Sequence, residues 1–135
     1  LFSDLRKLFP DSFIHFAATH RGATLYIDRA QIEQVLINLI KNAKESCGQN
    51  TAPQIEVELE QVPGKVCSLT VRDNGEGILP EVIDKVFVPF FTTKPSGSGI
   101  GLSLCKQIMN LHGGTITVSS EIGKGSCFTL MFPGR

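Results

Sequence analysis

The longest regular pattern in the chain is an apolar stripe between residues 29 and 47, with the roughly 3.6-residue period of an α-helix. Asp28 precedes the stripe with a short polar side chain of the kind that caps helix N-termini, and Gly48 follows it. The apolar positions on this predicted helix are Ile32, Val35, Leu36, Leu39, Ile40 and Ala43. A helix with one such face has to bury it against another layer of structure.

Alternating apolar residues elsewhere in the chain predict the strands of that second layer. We expect strands at residues 13–17, 24–28, 55–59, 66–71, 115–120 and 127–132, and further helices at residues 80–85 and 99–111. The sequences Pro63-Gly64-Lys65 and Gly123-Lys124-Gly125 are predicted to be hairpin turns, as is the polar stretch around His20-Arg21-Gly22. The pattern predicts an α/β two-layer sandwich of the α+β type, with helices on one face of a mostly antiparallel sheet.

Composition argues against several classes of function. Thirteen basic and thirteen acidic residues cancel, and Lys and Arg form no stripe, so we expect neither nucleic acid nor an anionic membrane as a partner. No apolar run approaches the ~20 residues of a membrane span, and no signal peptide opens the chain. We therefore expect a cytoplasmic location, which leaves open whether a parent protein is anchored in a membrane. The four cysteines form no C-x-x-C pair, which argues against a zinc site and favours free thiols.

Three polar clusters follow one another along the chain and together suit an adenosine nucleotide. Asn38 and Asn42 are four residues apart on the predicted helix, so their amides share one edge and offer oxygen to Mg²⁺. Asp73 follows a predicted strand and precedes a turn, where its carboxylate could accept a hydrogen bond from the amine of adenine. Residues 97–102, with the sequence Gly-Ser-Gly-Ile-Gly-Leu, open a predicted helix whose free amides could bind phosphate.

Each cluster alone also has an ordinary structural interpretation. The asparagines could bond nearby backbone, and residues 73–77 could form a simple Asp-Asn-Gly turn. The glycines at 97–102 match neither the dinucleotide-binding fingerprint nor a P-loop. Lys94 could reach a phosphate or remain solvated. No histidine has a carboxylate placed to activate a nucleophile, so the nucleotide interpretation depends on the combination of clusters.

The same segments resemble the ordered sequence boxes of sensor histidine kinases, over residues 22 to 133. Residues 33–43 resemble the N box, residues 73–78 the first glycine box, residues 87–94 the F box and residues 97–102 the second glycine box. The resemblance implies the Bergerat ATP-binding fold, a mixed sheet with three helices on one face, with ATP and Mg²⁺ as ligands. The Thr-Thr-Lys sequence of the F box most resembles the nitrogen-regulation type of sensor kinase.

The resemblance also implies roles for individual residues. Asn42 would bind Mg²⁺ with support from Asn38, Asp73 would hold adenine, and Lys94 would touch phosphate and act with the two asparagines in catalysis. Gly99 and Gly101 would hinge a lid over the nucleotide. The remaining nucleotide-binding positions that it implies are Glu45, Gly75, Gly77, Ile78, Thr93, Gly97, Ser98, Ile100, Leu102 and Thr129.

One position favours phosphate transfer over hydrolysis. Related ATPases carry a Glu general base one helical turn before the metal-binding Asn, and this chain has Asn38 there. An amide cannot accept a proton from water at neutral pH, so fast hydrolysis is disfavoured. The acceptor histidine of these kinases lies on an upstream helix in a His-Glu or His-Asp context, which this sequence lacks.

We therefore expect a histidine kinase-type catalytic domain at residues 11–135 and the tail of an upstream dimerisation region at residues 1–10. Because the chain starts at Leu1, we expect it to be a piece of a longer protein. We expect the piece itself to be monomeric and the parent protein to be a homodimer. Its expected partners are the dimerisation domain that carries the acceptor histidine and a response regulator. Three alternatives are a nucleotide sensor without phosphotransfer, a serine kinase of the anti-sigma type and a purely structural interaction domain.

Overall fold

The computed structural model of the protein describes residues 2–18, 28–48, 51–61, 67–89, 91 and 101–132. The described residues form four helices, α1 (Phe2–Leu8), α2 (Arg29–Ser46), α3 (Pro80–Ile83) and α4 (Gly101–Leu111). They also form five strands, β1 (Ile14–Ala18), β2 (Ile55–Gln61), β3 (Cys67–Asp73), β4 (Thr115–Glu121) and β5 (Gly125–Phe132). None of the described helices is long and apolar enough to span a bilayer.

The described strands form one mixed sheet in the order β1-β2-β3-β5-β4. The strand pairs β2–β3, β3–β5 and β4–β5 are antiparallel, whereas β1 and β2 are parallel. Helices α2 and α4 pack on this sheet, α2 against β2, β3 and β5 and α4 against β4. The predicted two-layer α/β sandwich with a mixed, mostly antiparallel sheet is confirmed.

The start of the described sheet contains a parallel pair of strands. β1 pairs with β2 in register from Ile14 opposite Ile55, and the intervening chain includes the whole of α2. A parallel pair needs such a crossover, because two parallel strands cannot be joined by a tight turn. The run predicted as a strand at residues 24–28 lies almost entirely outside the described residues, as do the turns predicted at residues 20–22 and 63–65.

Helix α2 forms where the apolar stripe predicted it. The carboxylate of Asp28 accepts a hydrogen bond from the backbone N–H of Gln31 at 3.1 Å, which satisfies one free amide of the first turn. The six apolar residues of the predicted stripe are all buried. They meet the inward side chains of the sheet, including Leu69 and Leu130, so the core lies between α2 and the strands.

Two polar contacts connect α1 and the end of α4 to the start of α2. His112, which follows α4, accepts a hydrogen bond from the backbone N–H of Asp28 through its Nε2 at 3.0 Å. Near the N-terminus, Leu5 of α1 is fully buried, and Phe9 is buried in the same core. An ion pair of 2.6 Å between Asp4 and Arg29 joins α1 to the start of α2. Residues 2–9 therefore pack as part of this domain.

Candidate functional site

A cavity of about 740 Å³ lies between α2, the segment after β3, the β4–β5 turn and the start of α4. Its volume falls within the range of small-molecule binding pockets, roughly 300–1,000 Å³. The described lining residues are Asn38, Lys41, Asn42, Ala43, Glu45, Ser46, Asp73, Glu76, Gly77, Ile78, Leu79, Val82, Val86, Phe91, Gly101, Leu102, Ile122, Ser126 and Phe128. The polar lining residues lie on α2, at the end of β3, in the segment that follows β3 and on β5.

The polar wall on α2 follows from helix geometry. Asn38, Asn42 and Glu45 are spaced by four and three residues, which places them on one face of the helix. All three line the cavity, beside the apolar stripe that faces the sheet. The structure therefore brings together the two amides of the N-box segment and the carboxylate of Glu45, which follows that segment on α2.

Asn38 also holds α2 against α4. Its Nδ2 donates to the backbone carbonyl of Gly101 at 3.4 Å, and its Oδ1 accepts from Gln34 at 3.0 Å. A longer contact of 3.8 Å joins Nδ2 to the Sγ of Cys105. Burial raises the pKa of the Cys105 thiol to about 11, so the thiol keeps its proton at neutral pH and donates to the carbonyl of Val35. Asn38 thus lies where the segment that carries the second glycine box joins α4.

Asp73 lines the cavity at the C-terminal end of β3. Only 6% of the residue is exposed, and its Oδ1 accepts the backbone N–H of Gly75 at 2.9 Å. Directly across the antiparallel pair lies Ser126 of β5, which is also 6% exposed and lines the cavity. A buried carboxylate and a buried hydroxyl therefore lie side by side at this end.

A hydroxyl network fixes the loop after Asp73. Ser120 accepts the backbone N–H of Ile78 at 2.7 Å and donates to the carbonyl of Gly125 at 2.9 Å. Its Oγ also lies 3.0 Å from the Oγ of Ser126. In addition, the N–H of Gly123 donates to the carbonyl of Glu76 at 3.0 Å. These bonds tie the first glycine-box segment to the β4–β5 turn, so the wall near Asp73 is rigidly held.

The two glycines of this segment have different roles. Gly77 lines the cavity with a φ of +79°, a left-handed conformation that favours glycine. Gly75 does not line the cavity, because it is buried against the end of α2, where an added Cβ would overlap the backbone of Ser46. The neighbouring N–H of Glu76 donates to the carbonyl of Ser46 at 3.2 Å. Gly75 therefore allows the loop to pack on α2, whereas the expectation was a direct approach to the nucleotide.

Thr129 requires a correction, because it lies on the other face of the sheet. Ser126 and Phe128 of β5 face the cavity, and side chains alternate along a strand, so residue 129 points away. Its Oγ1 lies 3.9 Å from the Sγ of Cys127, which shares that opposite face. The β5 residue that faces the cavity beside Asp73 is Ser126, which sequence reasoning missed.

The remaining predicted residues divide into two groups. Ile78, Gly101 and Leu102 line the cavity as expected. The others lie outside the described residues, namely Thr93, Lys94, Gly97, Ser98, Gly99 and Ile100. Several lining residues were not among the predicted site residues, and they include Lys41 and Ser126. The others are Ala43, Ser46, Glu76, Leu79, Val82, Val86, Phe91, Ile122 and Phe128. The signal for Lys41 was its place between the two asparagines on the same helix.

Charge in the described lining is unevenly distributed. Glu45, Asp73 and Glu76 are carboxylates, and Lys41 is the one side chain of the described lining with a formal positive charge. Among the residues that the structure describes, no group of three or more His, Cys, Asp or Glu side chains could hold a metal ion. The described lining offers amide and carboxylate oxygens, which are hard ligands of the kind that Mg²⁺ prefers.

This two-layer α/β domain thus brings the amides of α2 and the buried Asp73 together in one pocket. The sequence profile described as histidine kinase-, DNA gyrase B- and HSP90-like ATPase matches residues 27–135, and the chain belongs to this family. Its relatives include the sensor histidine kinase ZraS of Escherichia coli K12, 38% identical over 120 residues. That match covers 89% of this chain but 25% of ZraS, so the chain spans about a quarter of that relative's length.

Solved structures show the same similarity. The catalytic domain of the histidine kinase ThkA has a TM-score of 0.84 and 32% identity, with 98% of this chain and 89% of that chain covered. ThkA in complex with the response regulator protein TrrA has a TM-score of 0.80 and 30% identity, with 99% and 39% covered. The resemblance to the catalytic part of sensor histidine kinases is thus confirmed.

Proposed function

We propose that this chain binds ATP·Mg²⁺ in the cavity, and that its parent protein transfers the γ-phosphate to a histidine on a separate dimerisation domain. The observation that carries the proposal is that Asn42 and Asp73 line one cavity of about 740 Å³. These residues come from different elements, α2 and β3, 31 positions apart in sequence. Family membership supports the nucleotide, and the match to sensor kinases supports the transfer.

The end of the cavity near Asp73 suits adenine. A carboxylate accepts hydrogen bonds and donates none, which matches the exocyclic amine of the base. Ser126 adds a hydroxyl that can donate or accept at the ring edge. Ile78 and Phe128 provide apolar surface for the flat ring, and Gly77 brings the backbone close to it.

The part of the cavity lined by Asn38 and Asn42 suits the phosphates and their metal. The amide oxygen of Asn42 is a hard ligand of the kind that Mg²⁺ prefers, and Mg²⁺ commonly takes its other ligands from water and phosphate. The amide oxygen of Asn42 would therefore be a sufficient protein ligand for a Mg²⁺ that is bound mainly by water and phosphate. A bound Mg²⁺ would neutralise phosphate charge and orient the triphosphate. Asn38, which bonds Gly101 and Gln34, would keep α2 and α4 in place beneath the phosphates.

Residues outside the described ranges complete the proposal. Thr93, Lys94, Gly97, Ser98, Gly99 and Ile100 would contact or cover the phosphates, with Gly99 and Gly101 as hinges. The sequence Thr92-Thr93-Lys94 favours the nitrogen-regulation type of kinase. A response regulator would receive the phosphoryl group in turn, as the complex of ThkA with TrrA suggests for this parent protein.

The histidines of the described residues are unsuited to accept phosphate from this cavity. His15 is exposed on β1 and is not part of the cavity lining. Both ring nitrogens of His112 have partners, Nδ1 with the carbonyl of Ile108 at 2.8 Å and Nε2 with the N–H of Asp28. Asn38 in place of a general base also disfavours transfer to water.

The test is transfer of radiolabel from γ-labelled ATP. We expect no stable label on this chain alone and acid-labile label on the dimerisation domain of the parent protein when the two are mixed. A parallel reaction with that domain's acceptor His replaced by Gln should remain unlabelled. Label on the chain's own histidines would contradict the proposal. Binding of ATP without any transfer in the intact parent would identify a nucleotide sensor instead.

A further inference from the structure

Lys41 lies on the cavity-facing side of α2 between the two asparagines of the site. It follows Asn38 by three residues and immediately precedes Asn42, so it lies about 60° around the helix from Asn38. The residue is exposed, yet it contributes to the cavity lining. Lysine side chains commonly lay their stem along a wall and keep the charged head in water, so we expect the ammonium group of Lys41 at the cavity mouth.

The position of Lys41 along α2 places it toward the phosphate end. Ser46, near the C-terminal end of α2, contacts the loop after Asp73 and so marks the adenine end. Asn38 bonds Gly101 and marks the end where the second glycine box joins α4. An α-helix advances about 1.5 Å per residue, so Lys41 is about 4.5 Å from Asn38 and about 7.5 Å from Ser46 along the axis.

The distribution of charge in the cavity lining indicates that Lys41 suits the phosphates of a nucleotide. The described lining holds the carboxylates of Glu45, Asp73 and Glu76, which would repel a triphosphate. Lys41 is the one cation of that described lining, and no ion pair joins it to a carboxylate among the described residues. A lysine ammonium is a flexible point charge with three donors, which suits phosphate oxygens.

We propose that Lys41 is a phosphate-binding residue of this site, and that it makes affinity depend on the number of phosphates on the nucleotide. The inference deepens the proposed function and rests on it. Lys41 would act on the phosphate chain, whereas Asp73 would act on the base. Its effect should therefore increase from adenosine, which has no phosphate, through ADP to ATP.

The experiment measures displacement of a fluorescent ATP analogue by ATP, ADP and adenosine. We expect Lys41→Met to weaken ATP binding roughly tenfold, since the variant loses a hydrogen bond to a charged group, and to leave adenosine binding unchanged. Lys41→Arg keeps the charge and should bind ATP within about twofold of the original chain. The matched control is Lys7→Met, which alters an exposed lysine of α1 outside the described cavity lining. This variant should bind ATP and adenosine as the original chain does.

The salt dependence and the comparison of ATP with adenosine separate a phosphate contact of Lys41 from a general effect on the helix. The contact between Lys41 and phosphate would lie at the cavity mouth, where salt screens it. The difference in ATP affinity between Lys41→Met and the original chain should therefore become smaller at about 1 M salt. Equal ATP affinity in the two chains would overturn the role of Lys41 while leaving the proposed function intact. Equal losses for ATP and adenosine would also overturn it, because they would indicate a change in the helix. Failure of the original chain to bind ATP would overturn the proposed function and this inference together.

Discussion

Replacement of Asp73 by Asn is expected to weaken ATP binding about 100-fold, or roughly 2.8 kcal/mol. Asn keeps the size of Asp and can still accept the N–H of Gly75, so the loop should keep its shape. The substitution replaces one acceptor oxygen with an NH₂ donor. That donor would face the amine of adenine, which is also a donor, so no hydrogen bond could form between them. A site built to hydrogen-bond a ligand loses most when a buried group is left unpaired. Isothermal titration with ATP·Mg²⁺ measures the change.

Two controls make the Asp73 result interpretable. Asp84→Asn alters an exposed carboxylate just after α3, outside the described cavity lining, and should leave ATP affinity unchanged. Thermal unfolding of both variants checks that the fold is retained. Unchanged ATP affinity in a folded Asp73→Asn variant would mean that Asp73 does not contact the base.

Replacement of Asn42 by Ala is expected to remove most of the benefit that Mg²⁺ gives to ATP binding. The variant loses the amide oxygen proposed as the protein's metal ligand, while Ala preserves α2 because it is the best helix former. Metal affinity should fall by about 10- to 100-fold, the scale seen when groups that support a metal site are removed. The measurement is ATP affinity as a function of Mg²⁺ concentration, with phosphotransfer by the parent protein as a second readout.

The Asn42 prediction has its own matched variants. Asn42→Asp keeps an oxygen at the same place and should retain Mg²⁺-dependent binding. Asn110→Ala removes an exposed amide of α4 outside the described cavity lining and should behave like the original chain. If Asn42→Ala kept the full response to Mg²⁺, the metal would have to be bound elsewhere.

Local patterns in the sequence were enough to predict α2 and its part of the site. The period of the apolar stripe, with Asp28 as its N-cap, gave the helix its position and its buried face. The spacing of Asn38 and Asn42 then placed both amides on one edge, and both line the cavity. These features depend on residues within a few positions of one another, which is why they can be predicted from a single sequence.

Features that depend on pairing between distant strands could not be predicted in this way. Ser126 lies beside Asp73 because β3 and β5 pair in one antiparallel register, which joins residues 53 positions apart. The parallel pairing of β1 with β2 likewise depends on the crossover through α2. Register between such strands is set by the packing of the whole sheet, so the local sequence leaves it open.

Thr129 shows a different source of error. The alternation of Phe128, Leu130 and Phe132 on β5 already indicates which positions face the core, and position 129 falls between them. The assignment of Thr129 to the nucleotide came from family resemblance, and the period-two pattern of the strand contradicts it. Gly75 was likewise assigned to the nucleotide, but its close packing against Ser46 depends on how the loop meets α2.

The most direct measurement of the central claim is an NMR titration of the isotope-labelled chain with ATP·Mg²⁺. We expect the amide signals of Asn42, Gly77 and Ser126 to shift along one common saturation curve, because one ligand would span the cavity from α2 to β5. The side-chain signals of Thr129 and Cys127, which lie on the opposite face of the sheet, should stay in place. Saturation of Asn42 and Ser126 at different ATP concentrations, or shifts confined to the opposite face, would contradict a single shared nucleotide site.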